Sequence, residues 1–478
     1  MTKGNITKIL FQFAAPLVAS SLLQQLYNIA DSMIAGNFIG ENAVAAIGVS
    51  TSIVMFFTNV IIGFTTGVSI YIAQLTGRRD NEKIGEAIRT SFFYLVPAAL
   101  LMAVLSLGII EQVLTMMHTD GSIFAMTKTY ISIIFAGIPF VMVYNICSAI
   151  LRGMGNSKTS MQAIVIATFT NIFVDILFVA VFQWGIMGAA LATVLSQLFS
   201  CIYVLAYLLL RVVKKFPCRH SFTKEALKEQ TRLGLPCVLQ SGIMSFGSII
   251  LQGIMNTLGV QAVTAITSAY RLDSLAMLPA VSMASAVSTF TAQNMGARQY
   301  DRVSEGDSIS VKMMLLLSVT IAAAVILGGK SFILLFGVSE EVAGLGQSFL
   351  FMLSVFYPIF GMLNLFIGFL QGTGNVITPA VCNITGLGVR LTLAAILVAP
   401  LGFPSVPYSE GISWIVNAGK QKRKFQPRRP MSAAYKTIAC TFCVQATVFK
   451  QKSPDFTGLT APVRSGLSFV DFSGLTRR

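Results

Sequence analysis

Long apolar runs separated by short polar turns make up most of this chain. Eleven are clear, at about 9–36, 44–75, 90–110, 129–151, 161–182, 186–210, 234–258, 262–293, 309–336, 345–370 and 377–402. A helix crosses a bilayer in about 20 residues, so each run predicts a membrane-spanning helix. A twelfth begins at Tyr408 and stops at Ala418; that stretch covers about 16 Å, half of a hydrocarbon core roughly 30 Å thick. Lys and Arg collect in alternate turns: Arg78 to Arg89, then Arg152 and Lys158, then the connector from Arg211 to Arg232, then Arg298 and Arg302. The intervening turns are short or carry Glu41, Glu111, Asp120, Glu340 and Glu341, with Lys128 and Lys330 as departures. By the positive-inside rule the amino terminus and the connector are expected in the cytoplasm.

The pattern repeats. A shift of 219 residues lays Gly40 on Gly259, Ala73-Gln74 on Ala292-Gln293, Gly77 on Gly296 and Arg79 on Arg298. It also lays Pro139 on Pro358, Asn145 on Asn364, and Gly153-x-Gly155-Asn156 on Gly372-x-Gly374-Asn375. Compositional bias alone does not keep punctuating glycines and prolines in step, so the chain reads as two tandem units. Six crossings per unit give both the same orientation, which predicts a pseudo-two-fold along the membrane normal and a cavity between the halves. The expected fold is an all-α polytopic membrane protein. Its N-terminal lobe covers 1–212, the connector 213–232 and the C-terminal lobe 233–418, with an incomplete last helix and a disordered basic tail over 419–478.

Composition agrees. The chain is 54% apolar and 11% charged, with a mean hydropathy of +0.74, against about 25% charged residues in soluble domains. The net charge of +15 is concentrated after Gly419, where twelve basic residues face only Asp455 and Asp471. High basicity therefore does not indicate a nucleic-acid partner. The tail breaks the charge pattern of the preceding turns, and a replaced or frame-shifted end accounts for it; a lipid-binding tail is the alternative. Lys3 and Lys8 precede a run too long for a signal peptide, and no small-residue cleavage site follows. Cys440 and Cys443 form a lone CxxC without the second pair or histidine cluster that a metal site needs. No nucleophile–base pair or nucleotide loop marks an enzyme.

Polar groups inside the runs carry the candidate chemistry. Gln24, Tyr27 and Asp31 lie i, i+3, i+7 on one face of the first helix, and an acid there costs on the order of 3 kcal/mol unless the site uses it. Asn171 and Asp175 share a face of the fifth helix. Counting from the outer turns places Asp31 about 9 Å, Asp175 about 12 Å and Thr193 about 9 Å deep, so Asp31, Asn171, Asp175 and Thr193 can meet in one lobe. Two carboxylates, an amide oxygen and a hydroxyl suit a hard cation such as Na⁺, or a shared proton; a polar network that only packs helices is the alternative. The second unit does not repeat the set: Asn171 becomes Arg390, Asp175 becomes Ala394 and Thr193 becomes Ile412. It has instead Arg271, Asp273, Arg390 and Glu410, readable as an internal ion-pair network that locks a conformation or as plain interhelical salt bridges. The loops Arg152-Gly-Met-Gly-Asn-Ser-Lys158 and Gln371-Gly-Thr-Gly-Asn375 follow no strand and match no nucleotide loop, so they read as tight turns.

The repeat of six, the Pro16 to Asp31 stretch, the A-Q-x-x-G-x-R turns and the R-G-x-G-N-x-K-T loop resemble the multidrug and toxic compound extrusion (MATE) family over about residues 5–418. The resemblance is to the DinF-like branch, which carries acids in its first and fifth helices. It implies Na⁺- or H⁺-coupled antiport of small organic, often cationic, compounds across the cell's inner (plasma) membrane, by a monomer and without other cofactors. It also implies a coupling cluster at Asp31, Asn171, Asp175 and Thr193, with Gln24 and Tyr27 lining the same lobe. A lipid-linked oligosaccharide flippase of related fold is an alternative, although it would call for a cationic cavity. A non-transporting scaffold or channel is another.

Overall fold

The computed structural model describes residues 1–216 and 220–424, the last three as backbone alone. In the first half α1 (Ile6–Phe38), α2 (Glu41–Arg78) and α3 (Asn81–Met116) are continuous rods. Next come α4 (Gly121–Ala136) and α5 (Ile138–Gly153), then α6 (Lys158–Asp175) with a π-helical extension Ile176–Val181, then α7 (Gly185–Tyr207). The second half holds α8 (Lys224–Asn256), α9 (Val260–Gly296), α10 (Tyr300–Leu334), α11 (Glu340–Ser354), α12 (Tyr357–Gly372), α13 (Ile377–Leu401) and α14 (Ser405–Lys424). Asn5, Asp80, Asp120 and Ser339 cap α1, α3, α4 and α11 by accepting a backbone N–H in the first turn, as short polar side chains do.

The repeat survives into backbone geometry. Arg79 and Arg298 end α2 and α9 in the left-handed region, at φ 59° and 57°. Asn156 and Asn375 each accept a backbone N–H three residues on, from Thr159 and Thr378, at the same 3.2 Å. The fourth crossing of each half is bent, by 44° between α4 and α5 and by 53° between α11 and α12. Pro139 and Pro358 sit one residue into α5 and α12, where a missing N–H frees the chain to turn.

Both entry helices change partners along their length. The inner half of α1 (Ile6, Leu10, Phe13) packs on α9, α10 and α12 of the other half, while Ala35 near its outer end packs on α2, α4 and α7. Likewise α8 buries Leu233 and Cys237 in the first-half core but Leu251 and Met255 in the second-half core. The halves are therefore clasped at the end that carries Arg78, Arg152 and Arg298. There α2 and α9 cross with backbones in contact. A Cβ on Gly77 would stand 1.9 Å from the Gln293 carbonyl oxygen, and one on Gly296 would stand 2.1 Å from that of Gln74. The glutamine side chains reach over the crossing: Gln293 donates to the Gly153 carbonyl at 2.8 Å and Gln74 to that of Gly372 at 3.4 Å.

The twelfth crossing is longer than its apolar stretch. α14 starts at Ser405 and continues to Lys424, 20 residues or about 30 Å. Near its end, side-chain amides tie it to α13. Asn417 donates to Asn383 of α13 at 2.7 Å, and Gln421 donates to Asn417 at 3.1 Å. The helix thus takes in the first residues of the expected 419–478 tail. The rest of that tail, with Cys440 and Cys443, lies outside the described residues.

Candidate functional site

Asp31, Asn171 and Asp175 meet where α1 packs against α6. Asp175 is the last α-helical residue before the π-helical extension. The widened turn re-aims the residues that follow it, and such turns recur at functional sites. The Asp31 and Asp175 carboxyls lie within hydrogen-bonding reach of each other, and Asn171 lies beside Asp175. Asp31 is 6% exposed, Asn171 and Asp175 not at all. Tyr130 of α4 donates its hydroxyl to Asp31 Oδ2 at 3.5 Å. Thr193 of α7 borders Tyr130 and spends its hydroxyl on the Ala189 carbonyl at 3.2 Å. Tyr27 is half-buried within electrostatic range of Asp31, whereas Gln24 is exposed. The structure thus gathers Asp31, Asn171 and Asp175 tightly and keeps Thr193 one residue removed, behind Tyr130.

The cluster is under-satisfied. Asp31 Oδ1, both oxygens of Asp175 and both amide atoms of Asn171 are buried without a hydrogen-bond partner, and so is Thr168 Oγ1 one turn below Asn171. A native interior pairs nearly all such atoms, because each unpaired one costs roughly 1–3 kcal/mol. Two neighbouring carboxylates in a low dielectric also repel each other unless a proton or cation sits between them. Oxygen-rich and free of soft ligands, the set fits a hard monovalent cation or a shared proton.

Tyr130 was not among the candidates read from sequence. The repeat carried a signal for it: the equivalent position holds Phe349, so the hydroxyl exists in one half only.

The second half carries a different polar cluster. Arg390 of α13 pairs with Glu410 of α14 at 2.8 Å, and Tyr270 of α9 donates to the same Glu410 oxygen at 2.8 Å. Arg390 also donates to the Tyr270 hydroxyl at 2.9 Å. Tyr357 of α12 donates to Asp273 at 2.8 Å, and Asp273 lies within electrostatic range of Arg390 and Glu410. Arg271 does not belong to this set. It is exposed, with its guanidinium 5.1 Å from the Phe336 ring centre, because one residue along a helix turns a side chain by about 100° from its neighbour. Tyr270 and Tyr357, unforeseen in the sequence, supply the hydroxyls that bridge the network.

Comparison with known proteins identifies the family of the fold. The MatE family model matches residues 16–177 and 236–396, one stretch in each half. The chain is 28% identical to "Probable multidrug resistance protein YpnP" of Bacillus subtilis over 87% of its own length and 94% of the relative's. It is 26% identical to "Probable multidrug resistance protein YoeA" of the same organism, covering 83% of this chain and 88% of the relative. A solved structure described as the outward-facing conformation of a multidrug resistance MATE family transporter superposes with a TM-score of 0.81 at 24% identity. That alignment covers 88% of this chain and 96% of the other.

Proposed function

Since the chain belongs to the MATE family, we propose that this multi-pass membrane protein exports small organic, often cationic, compounds by antiport against H⁺ or Na⁺. The coupling ion is taken up at Asp31, Asn171 and Asp175. The observation that carries the reading is the group of buried, unpartnered oxygens on Asp31 and Asp175, placed side by side in one half only. The similarity to proteins named for multidrug resistance supports the substrate class.

In this reading the basic end faces the cytoplasm, where the Gln74 and Gln293 bridges close the route inward. With the carboxylates charged and unneutralised, the first lobe favours a cationic guest. A proton or Na⁺ arriving from outside binds between the two carboxylates and cancels one of their two negative charges, and the electrostatic hold on the guest weakens. Tyr130 steadies Asp31 as its charge changes. Coupling requires that ion and substrate prefer different states, and competition for one pair of negative charges provides that difference. The second-half cluster already holds its own cation, Arg390, against Glu410, and so serves as a fixed tie between α9, α13 and α14.

Dye efflux from vesicles, with pH and Na⁺ gradients imposed separately, tests the proposal. One gradient drives efflux by the natural chain, and Asp31→Asn or Asp175→Asn abolishes that dependence. Gradient-driven efflux that survives both substitutions removes the role assigned to the pair.

A further inference from the structure

At the basic end, the face of α8 that looks away from the bundle changes character along its length. Lys224, Lys228 and Arg232 come first, one turn apart and all exposed. Leu235, Leu239, Ile243 and Phe246 follow on the same side, also exposed. Between the cations and the leucines lies an open groove of about 700 Å³, walled by Phe222, Leu227 and Pro236. Phe222 packs on Phe93 of α3 with ring centres 5.0 Å apart, and Phe93 is itself 62% exposed, which extends the apolar wall onto a second helix.

The local acids are taken. Glu225 turns away to Lys83 at 2.8 Å, and Glu229 pairs with Arg232 at 3.2 Å. Among the described residues Lys224 and Lys228 have no acidic partner within ion-pair distance, so two uncompensated cations stand at the groove's mouth. From Lys228 to Leu239 the helix rises about 16 Å, the span from a headgroup phosphate well into the acyl region.

Cations without counter-charges, a groove beside them and an apolar wall continuing inward match one amphiphile in each part. We infer that this groove is a binding site for an anionic diacyl phospholipid. Its phosphate is held by Lys224 and Lys228, with Arg232 offering the N–H groups that Glu229 leaves free. Its acyl chains lie along Leu235, Leu239 and Phe93. A soluble anion would use only the cations and would leave the apolar wall unexplained. Basic pockets at this depth favour anionic headgroups, through a charge attraction that salt screens. The inference rests on α8 being membrane-embedded and is independent of what the protein transports.

Native mass spectrometry of the full-length protein, released from detergent with phosphatidylglycerol or phosphatidylcholine at equal concentration, tests it. The natural chain should retain one phosphatidylglycerol at least five-fold more often than phosphatidylcholine. Lys224→Gln with Lys228→Gln should erase that preference, whereas Lys3→Gln with Lys8→Gln, which removes the same charge at the start of α1, should leave it intact. Leu235→Gln with Leu239→Gln should weaken retention of both lipids. Equal retention of the two lipids by the natural chain, an equal loss in the α1 control, or displacement by millimolar inorganic phosphate would each overturn the proposal.

Discussion

Gly77→Ala should tip the protein away from the conformation described here. The added carbon would sit 1.9 Å from the Gln293 carbonyl oxygen, where ordinary contact begins near 3.5 Å. Backbone lies on both sides, so no rotamer relieves the clash and α2 and α9 must part by about 1.5 Å. Parting them stretches the Gln293 bond to Gly153 and the weaker Gln74 bond to Gly372, at about 1 kcal/mol each. Overpacking adds about 1 kcal/mol or more. The total is about 3 kcal/mol against the clasped state, roughly a 100-fold shift in population, provided the clasp exists in that state alone. Spin labels at Asn37 and Asn256, equivalent exposed positions at the opposite end, would report the change in a background with the native cysteines replaced. Pulsed dipolar spectroscopy should show their separation shorten in Gly77→Ala and equally in Gly296→Ala. Gly108→Ala, where the new carbon meets nothing within 4 Å, should leave it unchanged. An unaltered distance distribution in both clasp variants, with the proteins folded, would refute the reasoning.

Three further outcomes are expected. Asp175→Asn should raise the thermal midpoint by a few degrees while lowering gradient-driven efflux at least ten-fold, because it removes a buried charge whose oxygens lack partners; a fall in both would indicate a purely structural acid. Tyr130→Phe deletes a long hydrogen bond to Asp31 worth less than about 1 kcal/mol, so the ion concentration for half-maximal efflux should move two- to five-fold with maximal efflux retained. Glu410→Gln leaves Arg390 without its counter-charge at a site where the arginine side chain is 17% exposed, and should destabilise the fold by about 3 kcal/mol in thermal unfolding; replacing Arg390 and Glu410 together by leucine should recover most of that.

The two-lobed architecture was legible because its punctuation is chemical. Glycines at positive φ, and prolines that cannot donate, must recur wherever the backbone does, so Gly40, Gly155 and Pro139 mark their counterparts through the second half. The meeting of Asp31 with Asn171 and Asp175 was legible for a related reason: polar groups in a spanning helix face the interior at a depth set by helical rise. The exchange of partners by α1 and α8 was not, because helices apolar on nearly every side do not declare which face meets which neighbour. α4 begins at Gly121 rather than near residue 129 because Asp120 caps it and its first two turns mix Ile123, Phe124 and Met126 with Ser122, Thr127 and a Lys128 that is paired with Glu111. α14 outruns its apolar stretch because the Asn417 and Gln421 amides donate into a chain of side-chain oxygens that reaches Asn383 of α13. Tyr130, Tyr270 and Tyr357 escaped notice because a tyrosine in an apolar run looks like packing until its hydroxyl is seen to face an acid.

Binding of a cationic dye to the purified protein at equilibrium, titrated with Na⁺ at fixed pH and with H⁺ at fixed Na⁺, is the most direct measurement. One of the two ions should displace the dye from the natural chain, and in Asp31→Asn the dye should bind with an affinity that no longer responds to that ion. Dye affinity in the natural chain that is indifferent to both ions would contradict the idea that the two share the Asp31–Asp175 charge.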